Sequence, residues 1–157
     1  MKKFFCLIIV VDILASCSLT RSLPTTTITK DLTQYNFVYV VPTSAVTSGI
    51  LIETNTVNPS EMITGYLMKK GYSSIPSIDA ELKSRTLVVT YGNTSSTSFS
   101  HSFVARKGVI IQFRDAETHE LIATSEAEGA SLNTETEALI QAINSALNSI
   151  FDMVKKN

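Results

Sequence analysis

Side chains that could bind a metal ion gather at one point of the chain. His119 stands close to Asp115, Glu117 and Glu120, and imidazole and carboxylate groups are common protein ligands of divalent cations. The same stretch, DAETHE, separates two apolar segments, and polar residues in such a position usually form a turn and face the solvent. We therefore interpret the cluster as a solvated turn. The sequence predicts neither a metal site nor a bound cofactor.

The sequence also lacks a clear set of catalytic residues. A serine hydrolase would need a serine beside a histidine that an acidic residue orients. Ser98 and Ser100 stand near His101, but no glycine-flanked nucleophile turn surrounds either serine. Glu126 and Glu128 would lie about 7 Å apart on one strand face, whereas glycosidases place their two carboxylates on opposite sides of a cleft. The sequence therefore predicts no catalytic residue and a protein that is not an enzyme, with a small hydrolase using His101 as a remote alternative.

The first sixteen residues are built like a secretory leader. Lys2 and Lys3 follow Met1, the apolar run FFCLIIVV occupies residues 4–11, and the small residues Ala15 and Ser16 come later. This order is typical of a signal peptide. A membrane-spanning helix needs about 20 apolar residues, and this run is interrupted at Asp12. We therefore predict a signal peptide over residues 1–16.

The end of this leader resembles the lipobox of bacterial lipoproteins. Leu14 matches the aliphatic position of that motif, Ala15 and Ser16 match the two small positions, and Cys17 matches the cysteine. The resemblance implies that diacylglycerol is attached to the Cys17 thiol, that residues 1–16 are cleaved off, and that the new amine is acylated. Several acyl chains on one residue would anchor the protein in a membrane, because each buried methylene contributes about 0.8 kcal/mol.

The residues after Cys17 bear on location and partners. No acidic residue occurs at positions 18–21, which in lipoproteins implies the outer membrane, with the protein lipid-anchored and facing the periplasm. Residues 17–30 are rich in Ser and Thr, so we expect a lipidated N-terminus and a tether.

Loss of the leader removes two lysines and one aspartate and changes the net charge from −1 to −2, a balance that does not favour nucleic acid as a partner. With Cys6 in the leader and Cys17 modified, no thiol remains for a disulfide or a nucleophile.

Residues 31–157 are long enough to form a single domain with its own core. The segments 35–41, 86–91 and 107–114 are rich in β-branched and aromatic residues and predict strands. The segment 86–91 is apolar on both faces and is expected at the centre of the sheet. Residues 120–128 return after the polar turn and predict a hairpin with 107–114.

Two helices complete the predicted domain. Asn58-Pro59 is a helix start and Lys70-Gly71 a helix end. Thr134 and Glu137 form a capping box for a last helix, and its apolar face comprises Leu139, Ile143, Ala146, Leu147, Ile150 and Val154. The order is therefore β-α-β-β-β-α. It predicts an α+β fold, a two-layer sandwich in which two helices cover one face of an antiparallel-rich sheet.

This chain resembles a family of bacterial envelope lipoproteins of unknown function. The features that carry the resemblance are the strand 35–41, the helix end at Lys70-Gly71, the strand 87–91 and the hairpin 111–121. The likeness spans most of residues 31–152. It implies an envelope lipoprotein with the fold described above, and it supplies no activity.

The long connection 42–57 contains the best candidate for a binding surface. Ile50, Leu51 and Ile52 are consecutive aliphatic residues and either pack as a short strand or form an apolar contact patch. The leading hypothesis is a non-catalytic interaction module, anchored in the membrane by lipid, that binds an envelope protein. The alternative is a binding module for a small apolar or glycan ligand, held between this connection and the sheet.

Overall fold

The computed structural model of the chain describes residues 23–42, 57–94 and 104–155. In these ranges it contains a six-stranded mixed sheet, two α-helices and one 3₁₀ helix. The strands are β1 (Thr25–Ile28), β2 (Phe37–Val40), β3 (Ser73–Ser74), β4 (Thr86–Thr94), β5 (Ala105–Asp115) and β6 (Leu121–Ser131). The helices are α1 (Pro59–Lys69), α2 (Glu135–Val154) and the 3₁₀ helix Ala80–Arg85.

The strands follow the order β1-β6-β5-β4-β2-β3 across the sheet. β4, β5, β6 and β1 pair antiparallel, whereas β2 pairs parallel with both β3 and β4. A parallel pair needs a crossover connection, and α1 lies in the connection from β2 to β4. The predicted α+β class, with an antiparallel-rich sheet and two helices on one face, is confirmed. β4 is central, as its sequence predicted.

Part of the predicted tether belongs to the sheet. Thr25–Ile28 forms the edge strand β1, paired with residues 123–126 of β6. The Thr26 hydroxyl lies 2.7 Å from that of Ser125 and donates a 2.7 Å hydrogen bond to the Ser149 hydroxyl, so it joins β1 to both β6 and α2. The sequence TTTI is β-branched throughout, which suits a strand. The segment ahead of the domain is therefore shorter than the predicted 17–30.

Helix α1 begins and ends where the sequence predicts. The Asn58 side chain accepts a hydrogen bond of 3.1 Å from the backbone N–H of Ser60, and Pro59 occupies the first turn. At the other end Gly71 has a φ of 98°, a left-handed conformation that glycine adopts without a steric penalty. Ile63 and Leu67 are fully buried on the sheet side of the helix.

Helix α2 carries the largest apolar face. Its buried residues are Ala138, Ala142, Ile143, Ala146, Leu147, Ile150 and Phe151, and Leu139 and Val154 pack partly buried against the core. The Thr134 hydroxyl accepts a 3.0 Å hydrogen bond from the N–H of Glu137. The Glu137 carboxylate bonds to Ser131 and Asn133. The first half of the predicted capping box is therefore present, and the returning carboxylate uses other partners.

The helix-facing side of the sheet completes the core. Val38, Leu87, Val89, Ile111 and Phe113 are fully buried there. β6 contributes small residues beneath α2, which lets the helix approach the sheet closely.

No helix of the part of the chain described here combines the length and apolar character that a membrane span requires.

Candidate functional site

Most of the predicted site residues lie outside the described ranges. These are the lipobox residues Leu14, Ala15, Ser16 and Cys17, the apolar residues Ile50, Leu51 and Ile52, and the residues Ser98, Ser100 and His101. The lipidation site and the partner-binding loop therefore remain predictions. What the structure supplies is the position of the described residues that flank them.

One end of the domain, which we call the tether pole, contains some of these flanking residues. β4 ends there at Thr94, and the antiparallel β6 ends beside the start of β5, at Ser131. β2 runs parallel to β4 but ends earlier, at Val40 opposite Val89. β1 runs antiparallel to β6, with Thr25 opposite Glu126 and Ile28 opposite Ala123. The chain before Thr25 therefore comes from the side of the tether pole.

The opposite end, the hairpin pole, contains the turn from β5 to β6. The Asp115 carboxylate accepts hydrogen bonds of 2.8 Å from the N–H groups of Glu117 and Thr118, and a third of 2.8 Å from the Tyr35 hydroxyl. Glu120 forms an ion pair with Lys30. The polar residues that were predicted to form a solvated turn do form a hydrogen-bonded turn, and no group of metal-ligating side chains occurs in the described ranges.

The Asp115–Tyr35 contact shifts both pKa values. Burial is the largest influence on Tyr35 and, with the hydrogen bond to Asp115, raises the pKa of the phenol to about 12. Burial also raises the pKa of the Asp115 carboxyl, but the hydrogen bonds from Thr118, Tyr35 and Glu117 outweigh it, so this pKa lies below the ordinary 3.8. The folded state thus favours an ionised carboxylate at the hairpin pole.

We expect the Asp115→Asn variant to lose about 1–2 kcal/mol of unfolding free energy at pH 7, since hydrogen bonds to a charged group are stronger than neutral ones. A carboxyl whose pKa is depressed by folding stabilises the protein above its unfolded pKa, and this contribution disappears as the pH falls. The difference from wild type should therefore shrink between about pH 5 and pH 2. Urea unfolding at several pH values measures it, with Glu117→Gln as the control in the same turn. An unchanged difference at low pH would contradict this account.

An aromatic cleft of about 330 Å³ opens at the hairpin pole. It lies where the C-terminal ends of α1 and α2 meet the segment before β2. Its lining includes Leu32, Tyr35, Lys70, Tyr72, Phe151 and Lys155. The residues come from three separate parts of the chain, so no local sequence motif predicts the cleft. The sequence analysis did not predict this cleft. The only indication of it in the sequence was Phe151, an aromatic residue that follows Leu147 by one helical turn on the apolar side of α2.

The cleft combines aromatic faces with positive charge. The Lys70 ammonium lies 5.2 Å from the ring centre of Tyr66 and 5.3 Å from that of Phe151. The rings of Tyr72 and Phe151 meet edge to face at 6.1 Å. The Tyr72 hydroxyl donates a 3.3 Å hydrogen bond to the carbonyl of Leu32, and burial raises the pKa of this phenol. Such a cleft can accommodate a flat apolar group that carries a negative charge.

The sheet face that points away from α1 and α2 forms a second candidate surface. Phe37, Tyr39 and Val88 are half-buried there, with Tyr39 directly opposite Val88 in the β2–β4 register. Within the described ranges both α-helices pack on the other face. We call these three residues the open-face patch. Farther along the sheet, Glu126 and Glu128 are exposed on β6, which agrees with a solvated strand face.

The comparisons with known proteins bear on the fold. The sequence matches no family model, and no curated protein matches it. Among solved structures, the PelC dodecamer from Paraburkholderia phytofirmans is similar with a TM-score of 0.57 and 13% identity over 80% of this chain and 96% of that chain.

A weaker likeness is found to the lipoprotein GNA1162 from Neisseria meningitidis. It has a TM-score of 0.33 and 15% identity over 74% of this chain and 98% of that chain, which is too low to support an inference. The identity to PelC is also low, so that comparison establishes a shared fold and nothing finer.

Proposed function

We propose that this protein is a bacterial lipoprotein, anchored by Cys17 in the outer membrane and facing the periplasm, that acts as a non-catalytic interaction module of the cell envelope. The lipobox at Leu14–Cys17 supports the anchor. Two candidate binding surfaces, the open-face patch and the aromatic cleft, support the interaction role.

The observation that carries the proposal is the open-face patch. A sheet with helices on one face can leave the other in water, but the centre of such a face then usually carries polar side chains. Here Phe37 and Tyr39 are successive residues of β2 on this face, and Val88 of β4 lies beside Tyr39. Aromatic residues surrounded by polar ones are typical of the centre of a protein interface. Arg114 lies opposite Val88 on β5, and Thr90 and Gln112 form the next row, so these three residues would form its rim.

We further propose that the partner is another copy of this chain. PelC, which has the same fold, is described as a dodecamer, and this supports self-association. A closed assembly of identical lipid-anchored copies would also bring several lipid anchors to one membrane and strengthen attachment through multivalency. The loop with Ile50, Leu51 and Ile52 stays the second predicted contact region.

The Tyr39→Glu variant should separate the copies, because it places a charge at the centre of the patch. Native mass spectrometry of the lipidated protein in detergent should detect an assembly of several copies for wild type and single chains for the variant. Lys83→Glu changes an exposed residue of the 3₁₀ helix and should leave the assembly intact. Wild-type protein that is a single chain under these conditions would contradict self-association.

A small-ligand binding module is the second candidate, and the aromatic cleft favours it. Its volume of about 330 Å³ is at the lower end of the range for ligand pockets, and Lys70 with Lys155 would suit an acidic sugar or another anion with an apolar face. Native mass spectrometry also distinguishes this candidate. A bound molecule of low mass that is lost in Lys70→Glu would support it, whereas an unliganded chain in every preparation would remove it.

A further inference from the structure

Leu132 is an exposed apolar residue held on a rigid turn at the tether pole. Its side chain is 65% exposed, and it lies between the end of β6 and the start of α2. The Ser131 hydroxyl accepts hydrogen bonds of 3.0 Å from the N–H of Asn133 and 3.4 Å from that of Thr134, and it donates one of 2.6 Å to Glu137. The turn is thus fixed on both sides of Leu132.

The charged side chains around this turn are largely held by partners within the domain. The Glu135 carboxylate lies 2.7 Å from the Lys107 ammonium, and the Glu137 carboxylate accepts hydrogen bonds from Ser131 and Asn133. Arg106 is exposed near the start of β5. Both carboxylates of the first turn of α2 are therefore held by partners, and an exposed guanidinium stands nearby.

The length of chain before β1 sets the distance of this pole from the membrane. Eight peptide units from Cys17 to Thr25 span at most about 25–30 Å. Thr25 pairs with Glu126, and the five residues from there to Ser131 take up about 17 Å along the strand. A fully extended tether thus leaves the turn within about 10 Å of the lipidated residue.

We propose that the Leu132 turn contacts the lipid surface, with its side chain in the interfacial region of the bilayer. This inference rests on the proposed lipid anchor at Cys17. The contact would orient the domain so that the aromatic cleft at the hairpin pole faces away from the membrane and stays accessible to periplasmic molecules.

Tryptophan fluorescence tests the contact directly, because the chain contains no tryptophan. The lipidated Leu132→Trp protein is placed in vesicles of phosphatidylethanolamine and phosphatidylglycerol. We expect its emission to shift to shorter wavelength and to be lost largely when the phospholipids are brominated. The lipidated Met68→Trp protein is the matched control, since Met68 is also exposed (57%) but lies near the end of α1 at the hairpin pole; its emission should change little.

The outcomes separate the two proposals. If mass spectrometry shows a lipidated Cys17 but the Leu132→Trp emission is that of an indole in water, the membrane contact is wrong and the lipid anchor stands. If Cys17 carries no lipid, both are overturned. Equal quenching of the Leu132→Trp and Met68→Trp proteins would show that the domain has no fixed orientation, and it would also overturn the contact.

Discussion

The Gly129→Ala variant should be strongly destabilised or fail to fold. Gly129 lies in β6 directly beneath α2, and a Cβ at this position would be 1.8 Å from the carbonyl oxygen of Ala138 and 2.7 Å from the backbone nitrogen of Ala142. These atoms belong to a helix backbone and cannot rotate away, so the helix would have to move as a unit. Overpacking usually costs about 1–3 kcal/mol and sometimes more, and we expect the upper end or beyond.

Gly92→Ala provides the matched control for this prediction. Gly92 is also in the sheet, but a Cβ there would lie 3.8 Å from the nearest atom, the Cγ2 of Ile110, which is an ordinary contact. Urea unfolding of the two variants and wild type should show a small effect for Gly92→Ala and a large one for Gly129→Ala. Equal midpoints for the two variants would mean that α2 does not approach β6 as closely as described.

Truncation of the α2 core residues should have the next largest effect. Ile143 and Leu147 are fully buried between α2 and the sheet, and replacing either by alanine removes apolar contacts and leaves a cavity. Each change should lower the free energy of unfolding by about 2–5 kcal/mol, a large part of the 5–15 kcal/mol typical of a domain.

Asn144→Ala is the control on the same helix, because Asn144 is exposed and its side chain contributes nothing to the core. Chemical denaturation should place this variant close to wild type. If Ile143→Ala and Leu147→Ala were as stable as Asn144→Ala, the predicted apolar face of the helix would not be its buried face.

The fold could be predicted largely because its main elements carry local signals. Asn58 and Thr134 mark helix starts because their side chains accept hydrogen bonds from backbone N–H groups of the first turn, which have no partner within the helix. Pro59 marks the same start because proline is favoured in the first turn. The apolar residues of β4 and the alternation in β5 reveal strands. β1 and β3 have four and two residues and are held by pairing with strands distant in sequence. No local pattern can supply such pairing.

The candidate site was harder to predict for the same reason. The aromatic cleft joins Tyr35, Tyr72 and Phe151, each of which looks like an ordinary core residue when considered alone. The open-face patch depends on the register between β2 and β4, which sets Tyr39 beside Val88. The lipobox is different because an enzyme reads it as a linear motif, so the sequence alone predicts Cys17 as the site of modification.

The intact mass of the mature protein purified from membranes tests the proposed lipid anchor. We expect a chain that begins at Cys17 and carries the added mass of a diacylglycerol and an acyl group, while Cys17→Ser accumulates as a precursor that keeps residues 1–16. A mature wild-type chain with an unmodified Cys17, or one whose N-terminus lies elsewhere, would contradict the lipid anchor and with it the proposed place of this protein in the envelope.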